Sequence, residues 1–408
     1  MLYEILRQSA NSDGIPILNK HDFKRYTQVY GKEAFRETLV DFITKEKPPY
    51  PYKKFSRNKI IKLFLQLQKQ DTSKNVILDN NDNVMDKFDY KYSYEKYGLG
   101  YIQTGHAYND ISDYFHNRLR LNCPYMNTGS PVDAWEQGKL KSTFGALWRG
   151  VNSSEDLSIA SYTEALRLGG SYVATQFKPN VATTVYDMTN SKRVVDTSMG
   201  WGDRLAGFYA SSAEVYIGCD PNPNTFKKYQ EQKEFYDKLT GHTKKVYMYN
   251  CGAEDLPWDE IEDIDLVFTS PPYFSTEKYN KGGENEEAQS WKKYPEYDSW
   301  MDNFLLPVSE KSLNSLNDDG FFMLNIMDPK IKGKRYNVCD TLVDTFKDKF
   351  LGQVGMRISQ RPQGEKFFSE GESLEDYMSK VYIENIWCFG KGDVFRGIRT
   401  PDLTKFFE

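Results

Sequence analysis

From residue 193 onward, short apolar runs alternate with longer amphipathic stretches. The runs are Val194–Val195 closing at Asp196, 214–219 closing at Asp220, 245–250 and 264–269. Residues 203–211 and 224–239 lie between them and space their apolar positions as helices do. Residues 321–326 are almost continuously apolar, as in a strand buried on both faces. Residues 352–359 and 381–389 read as two further strands, flanking a polar segment (360–380) and forming a hairpin that Gly390 and Gly392 stop. Helices are expected over 300–316 and 338–350. Seven strands separated by helices predict an α/β protein with a mostly parallel sheet.

The first 150 residues have a different texture. Residues 20–44 and 57–70 read as amphipathic helices, joined by a segment that mixes lysines with prolines and aromatics. Residues 71–83 are polar and turn-like, and 87–114 are rich in tyrosine. Helices are expected near 108–121 and 135–148. This suggests a basic helical N-terminal segment (1–70), an accessory or substrate-recognition region (71–150), a catalytic core (151–393) and a short tail (394–408).

Two places carry chemistry. Gly200 and Gly202 follow the strand that ends at Asp196, and a helix follows them. Strand, glycine turn and helix open a nucleotide-binding unit, because glycine lets backbone approach a ligand closely. The next strand ends in Asp220, where an acid is placed to accept from ribose hydroxyls. The second place is Ser270-Pro271-Pro272-Tyr273-Phe274, at the end of an apolar strand. Two prolines stiffen the turn and fix where its carbonyls point. Ser270 and those carbonyls can accept from a planar amino group, and Tyr273 can stack on the ring that carries it. Blander readings stand beside these: a proline turn ending a core strand, and Asp220 as a helix N-cap.

The Ser-Pro-Pro-Tyr run resembles the catalytic motif of DNA methyltransferases that modify amino nitrogens of cytosine or adenine. The strand series resembles the seven-stranded, Rossmann-like S-adenosylmethionine methyltransferase fold over about residues 172–392. The resemblance implies S-adenosylmethionine as cofactor. Its methionine part would be wrapped by Asp196, Thr197, Ser198, Gly200 and Gly202, its ribose held by Asp220, and its adenine placed near Ala253 and Glu254. Gly252 departs from the pattern, since many members carry an acid there. Phe177 and Lys178 open a Lys-Pro-led helix that would cover the amino-acid end; a capped helix start with a snorkelling lysine is the alternative. Ser270, Pro271 and Pro272 would polarise the amino nitrogen, and Tyr273 or Phe274 would sandwich a flipped base. Serine in the first motif position leans toward N4 of cytosine over N6 of adenine. Restriction–modification enzymes are among the relatives implied. The polar segment 275–293 is expected to be a lid, or else an ordinary insertion.

Charge adds a substrate surface. The chain of 408 residues has net charge −5, yet residues 1–70 sum to +7 and the remainder to −12. A local basic segment suits nucleic acid, with Lys53, Lys54 and Arg57 as candidate DNA contacts; a solvated linker is the alternative. DNA is the expected partner, with RNA open. Five scattered cysteines and four histidines predict neither a metal site nor a disulfide framework. No apolar stretch is long enough to span a membrane, and the N-terminus lacks a signal-like apolar core, so a cytoplasmic setting is expected. Two other functions stay open: an RNA or protein-glutamine amino-methyltransferase, and a silent nucleic-acid-binding module with this fold.

Overall fold

The computed structural model describes residues 1–78, 99–103, 105–124, 129–138, 140–148, 154–168, 173–358 and 382–398. The polar segment 360–380, most of the tail and the tyrosine-rich stretch 87–98 lie outside them.

The strands, in chain order, are β1 Val76–Leu78, β2 Gly100–Ile102, β3 Arg193–Asp196, β4 Val215–Cys219, β5 Lys245–Tyr249, β6 Ile264–Thr269 and β7 Leu316–Asn325. Then come β8 Lys330–Ile331, β9 Lys334–Arg335, β10 Phe350–Ile358 and β11 Tyr382–Gly390. All seven expected strands are present. The central sheet has nine strands, in the order β1-β2-β10-β11-β7-β6-β3-β4-β5. The expected count of seven is therefore corrected to nine. β2 extends the sheet by pairing parallel to β10, and β1 pairs antiparallel to β2. Each has three residues, too few for periodicity to show; their pairing comes from the sheet edge they meet. β8 and β9 form a separate small hairpin.

β3 pairs parallel with both β4 and β6. The chain winds one way from β3 to β5, then returns to β6 on the other side. This is the switch point at which open α/β sheets bind ligands, beyond the carboxyl ends of the strands. β11 is inserted between β7 and β10 and runs antiparallel to both. One face of the sheet packs on a core that includes Val267, Phe322, Leu324, Trp300, Leu342 and Trp387.

The helix expected over 300–316 runs from Tyr297 to Asn314, with a wide π turn at Met301–Leu305. Pro307, just beyond, has no N–H to donate back along the helix, and the wide turn precedes it. Residues 318–320 lie within β7, where a Cβ on Gly320 would meet the Ile264 carbonyl at 2.6 Å.

Contacts divide the chain into two compact units, and the division differs from the one read along the sequence. The first comprises Met1–Ser56, Asn117–Thr175 and Lys278–Glu286; the second holds the rest, including the sheet. The first unit is helical around its own core, with Leu6, Phe35, Leu39, Trp135, Phe144 and Tyr162 buried. Trp135 donates its indole N–H to the Pro48 carbonyl at 2.8 Å, and Tyr162 its hydroxyl to the Pro16 carbonyl at 3.0 Å. The single helix expected over 20–44 is two, Lys20–Tyr30 and Lys32–Glu46, because Gly31 takes φ +79° between them.

Candidate active site

The turn after β3 is held from below. Asp196 is fully buried and accepts from Arg204 Nε at 2.9 Å, Tyr216 Oη at 2.7 Å and the Ser198 backbone N–H at 3.1 Å. Arg204 also donates to the Ser198 carbonyl, and its guanidinium lies 5.2 Å from the centre of the Phe177 ring. Asp196 thus shapes the turn through its neighbours. Gly200 and Gly202 take φ +57° and +73°, conformations that side chains disfavour. A Cβ on Gly202 would meet Gln232 Oε1 at 2.1 Å, and Gln232 in turn donates to the Gly202 carbonyl at 2.8 Å. A Cβ on Gly200 would meet nothing closer than the Ser198 carbonyl at 3.8 Å, so the backbone there faces open space.

Asp220 leaves the end of β4 partly buried. Its Oδ2 accepts from the Gly200 N–H at 3.1 Å, and its Oδ1 from the Asn222 N–H at 3.0 Å and Thr225 Oγ1 at 3.2 Å. The Tyr229 side chain is a further hydrogen-bonding neighbour of this carboxylate. Burial pushes the Asp220 carboxyl up to about 6, against the lowering effect of its hydrogen-bond donors, Asn222 and Gly200 first among them. The open space before Gly200, with a carboxylate at its edge, fits a ligand carrying vicinal hydroxyls.

Past β5, Ala253 is buried. The Glu254 carboxylate accepts from Lys293 Nζ at 2.6 Å and Tyr294 Oη at 3.0 Å. Its other oxygen folds back over Gly252, where a Cβ would meet it at 2.5 Å. That explains the glycine where relatives implied an acid: the acid two residues on fills the space.

Across the switch point stands the proline motif. Thr197 Oγ1 donates to Thr269 Oγ1 at 3.1 Å and joins the ends of β3 and β6. Ser270 and Pro272 are partly exposed, and Pro271 is buried. Tyr273 is partly buried; its hydroxyl donates to Glu384 Oε1 on β11, and its N–H to Glu277 Oε2 at 3.4 Å. Burial and the Glu384 carboxylate both push the phenol up. Phe274, expected to sandwich a base, is instead buried against Tyr297, Trp300 and Tyr336, with ring centres 5.6, 5.7 and 5.6 Å away. It takes φ +48° and anchors the turn from inside.

Lys178 caps the helix Pro179–Met188 and is buried; its ammonium donates to the Arg357 carbonyl of β10 at 2.8 Å. Phe177 packs edge-on against Phe268, 5.7 Å away. Of the basic candidates, Lys54 pairs with Asp13 at 2.7 Å, Lys53 lies over the Phe55 ring, and Arg57 lies over Phe235. In the polar segment expected as a lid, the Asn280 N–H donates to the Pro124 carbonyl at 3.0 Å within the first unit. Sequence reasoning missed Arg204, Glu384 and Asn325. Arg204 left a faint signal, a cation directly after the Gly-x-Gly-Asp turn; Glu384 left none.

Among the described residues, no cluster of metal-binding side chains occurs and no helix is long and apolar enough to cross a membrane. The family model described as DNA methylase matches residues 264–404, from the first residue of β6 through the proline motif and β11. No curated protein matches the chain. Solved structures overlap part of it. An rRNA methylase from Streptococcus thermophilus aligns at 13% identity over 54% of this chain and 100% of its own, with TM-score 0.31. A methyltransferase from Geobacter sulfurreducens aligns at 9% identity over 54% and 82%, with TM-score 0.32. A SAM-dependent O-methyltransferase from Thermotoga maritima aligns at 13% identity over 53% and 68%, with TM-score 0.31. The fold assignment rests on this chain's own strand order. Over residues 264–404 the chain is similar to the DNA methylase family, which supports a methyltransferase that uses S-adenosylmethionine.

Proposed function

We propose that the enzyme methylates the exocyclic amino group of a DNA base, N4 of cytosine in preference to N6 of adenine. The observation that carries this reading is the position of Ser270-Pro-Pro-Tyr273 at the carboxyl end of β6, one strand from the glycine turn that follows β3. The bound cofactor supplies an electrophilic methyl group on a sulfonium, so the protein's task is orientation and charge placement. Gly200, Gly202 and Asp220 hold the cofactor, with Ala253 beside its adenine. The base amino group is a poor nucleophile because its lone pair is shared with the ring. Ser270 Oγ and the backbone carbonyls of Ser270 and Pro271 accept its N–H groups and draw the nitrogen toward tetrahedral geometry. Tyr273 offers one aromatic face to the extruded base. Serine, shorter than aspartate and neutral, suits the cytosine preference.

The test is mass spectrometry of nucleosides from DNA of cells that express the protein, beside cells that do not. N4-methylcytosine supports the full reading, and N6-methyladenine corrects the base. Methylated RNA or protein with unmodified DNA overturns it.

A further inference from the structure

Four elements of the sheet unit converge behind the proline motif. Tyr273 comes from the turn after β6, Asn325 from the end of β7 and Glu384 from β11, while Lys178 caps the Pro179–Met188 helix. Tyr273 donates its hydroxyl proton to Glu384, 111 residues away in sequence. Asn325 lies in hydrogen-bonding range of the same carboxylate, and the Lys178 ammonium is its nearby cation. Asn325 is itself held by donating its amide to the Asn385 carbonyl at 3.1 Å. On the other side of the phenol, the Ser270 side chain is a second polar neighbour.

A phenol and a serine hydroxyl each carry one proton, and an ionised carboxylate only accepts. With the Tyr273 proton committed to Glu384, the phenol oxygen can only accept, and it accepts from Ser270. The Ser270 proton then points at Tyr273, and the Ser270 lone pairs are left for a donor. We infer that Glu384 is a positioning residue that fixes the direction of the chain base N–H→Ser270→Tyr273→Glu384, and so makes the site select a base edge that donates. This rests on the proposed amino-methylation and deepens it. Cytosine and adenine present a donor at the reacting position, whereas thymine and guanine present a carbonyl. A carbonyl edge would face the Ser270 lone pairs and leave a buried acceptor unpaired, a mismatch that discriminates strongly.

The direction depends on charge. Burial raises the Glu384 carboxyl, while Tyr273, Asn325 and Lys178 act against that rise. The other charged groups nearby are Glu277, which acts on Tyr273, and Arg357, which follows Met356, the β10 residue paired with Glu384. Once protonated, Glu384 becomes a donor and the chain no longer has one direction. Turnover falls as pH falls through the raised Glu384 value.

The experiment is single-turnover transfer of labelled methyl from S-adenosylmethionine, at concentrations that saturate the enzyme at every pH, to genomic DNA from a host lacking DNA methyltransferases, from about pH 5 to 9. Calorimetric cofactor binding and circular dichroism accompany it. Glu384→Gln keeps the shape and removes the charge; Tyr273→Phe cuts the link. Each variant should be about tenfold slower at neutral pH, should lose the acid limb of the wild-type profile, and should bind the cofactor within a few-fold of wild type. Combining them should add little, since both break one chain. A folded variant of either kind that keeps the wild-type acid limb, whatever its rate, overturns the inference. Wild-type protein that binds the cofactor yet methylates no DNA overturns the proposed function instead.

Discussion

Thr197 and Thr269 share a buried hydrogen bond of 3.1 Å between their hydroxyls, at the carboxyl ends of β3 and β6. The pair ties the glycine turn after β3 to the proline turn after β6, at the switch point of the sheet. Thr269→Val leaves the Thr197 hydroxyl without this partner in the core. It should cost about 1–3 kcal/mol, read from the urea midpoint. Thr197→Val combined with Thr269→Val should recover part of that loss, because neither hydroxyl is then stranded.

The proposed role of Asp220 at the ribose makes cofactor binding depend on pH. Its carboxyl sits at about 6 because it is buried, and a protonated carboxyl is a poorer acceptor for ribose hydroxyls. Cofactor affinity should fall as pH drops through about 6, and the step should vanish in Asp220→Asn. The sign for stability is opposite. A carboxyl raised in the folded state favours folding below its unfolded value of about 4, and that contribution is lost as pH rises toward 6. Calorimetry across this range checks the first statement, and thermal melts of the cofactor-free protein check the second. Asp220→Ala should also loosen the glycine turn, since it frees the Gly200 N–H.

The Asp196–Arg204 pair is buried on both sides. Removing one partner strands the other charge, so Asp196→Ala should cost about 3–5 kcal/mol and abolish cofactor binding with the turn. Replacing both residues with apolar ones should recover much of the stability and none of the binding. Urea denaturation alongside calorimetry separates the two effects.

Gly202→Ala meets three obstacles, a φ of +73°, the Gln232 amide oxygen 2.1 Å from the new methyl and His116 Nε2 2.9 Å from it. A loss of about 1–3 kcal/mol is expected. Adding Gln232→Ala should relieve the nearest clash and leave the backbone strain, so rescue should be partial in thermal melts.

Lys54 is 77% exposed and paired with Asp13, a pairing that costs little to exchange for a phosphate. Lys53→Ala and Lys54→Ala should each flatten the dependence of log affinity for DNA on log salt by about 1. Asp13→Asn should strengthen binding at low salt. Cofactor affinity should stay unchanged in all three, and equal slopes would assign this charge elsewhere.

What was legible in the sequence was local. Asp220 shows because it ends an apolar run and precedes a helix, and the proline motif shows because four consecutive residues carry it. Phe274 misled for the same reason. Tyr273 and Phe274 stand side by side as candidate base platforms, and Tyr297, Trp300 and Tyr336 decide which one goes inside. Residues 76–78 and 100–102 were unreadable as strands because only the edge of β10 makes them so. Glu384 lay hidden within a mostly apolar strand. Its place beside Tyr273 follows from β11 lying between β7 and β10, a non-local pairing that no short pattern encodes.

That late insertion gives the enzyme an order of assembly. Every other described strand of the sheet is made before β11, which enters the interior of the sheet and not its rim. A ribosome delivers Tyr273 on the order of ten seconds before Glu384, at about 5–20 residues per second. During that interval the nascent chain has its glycine turn and proline motif, but β7 and β10 lack the strand that joins them. Such distant pairing is slow to form, so the step that closes the sheet also completes the environment of Tyr273. Among the described residues, the sheet is complete only once β11 lies between β7 and β10.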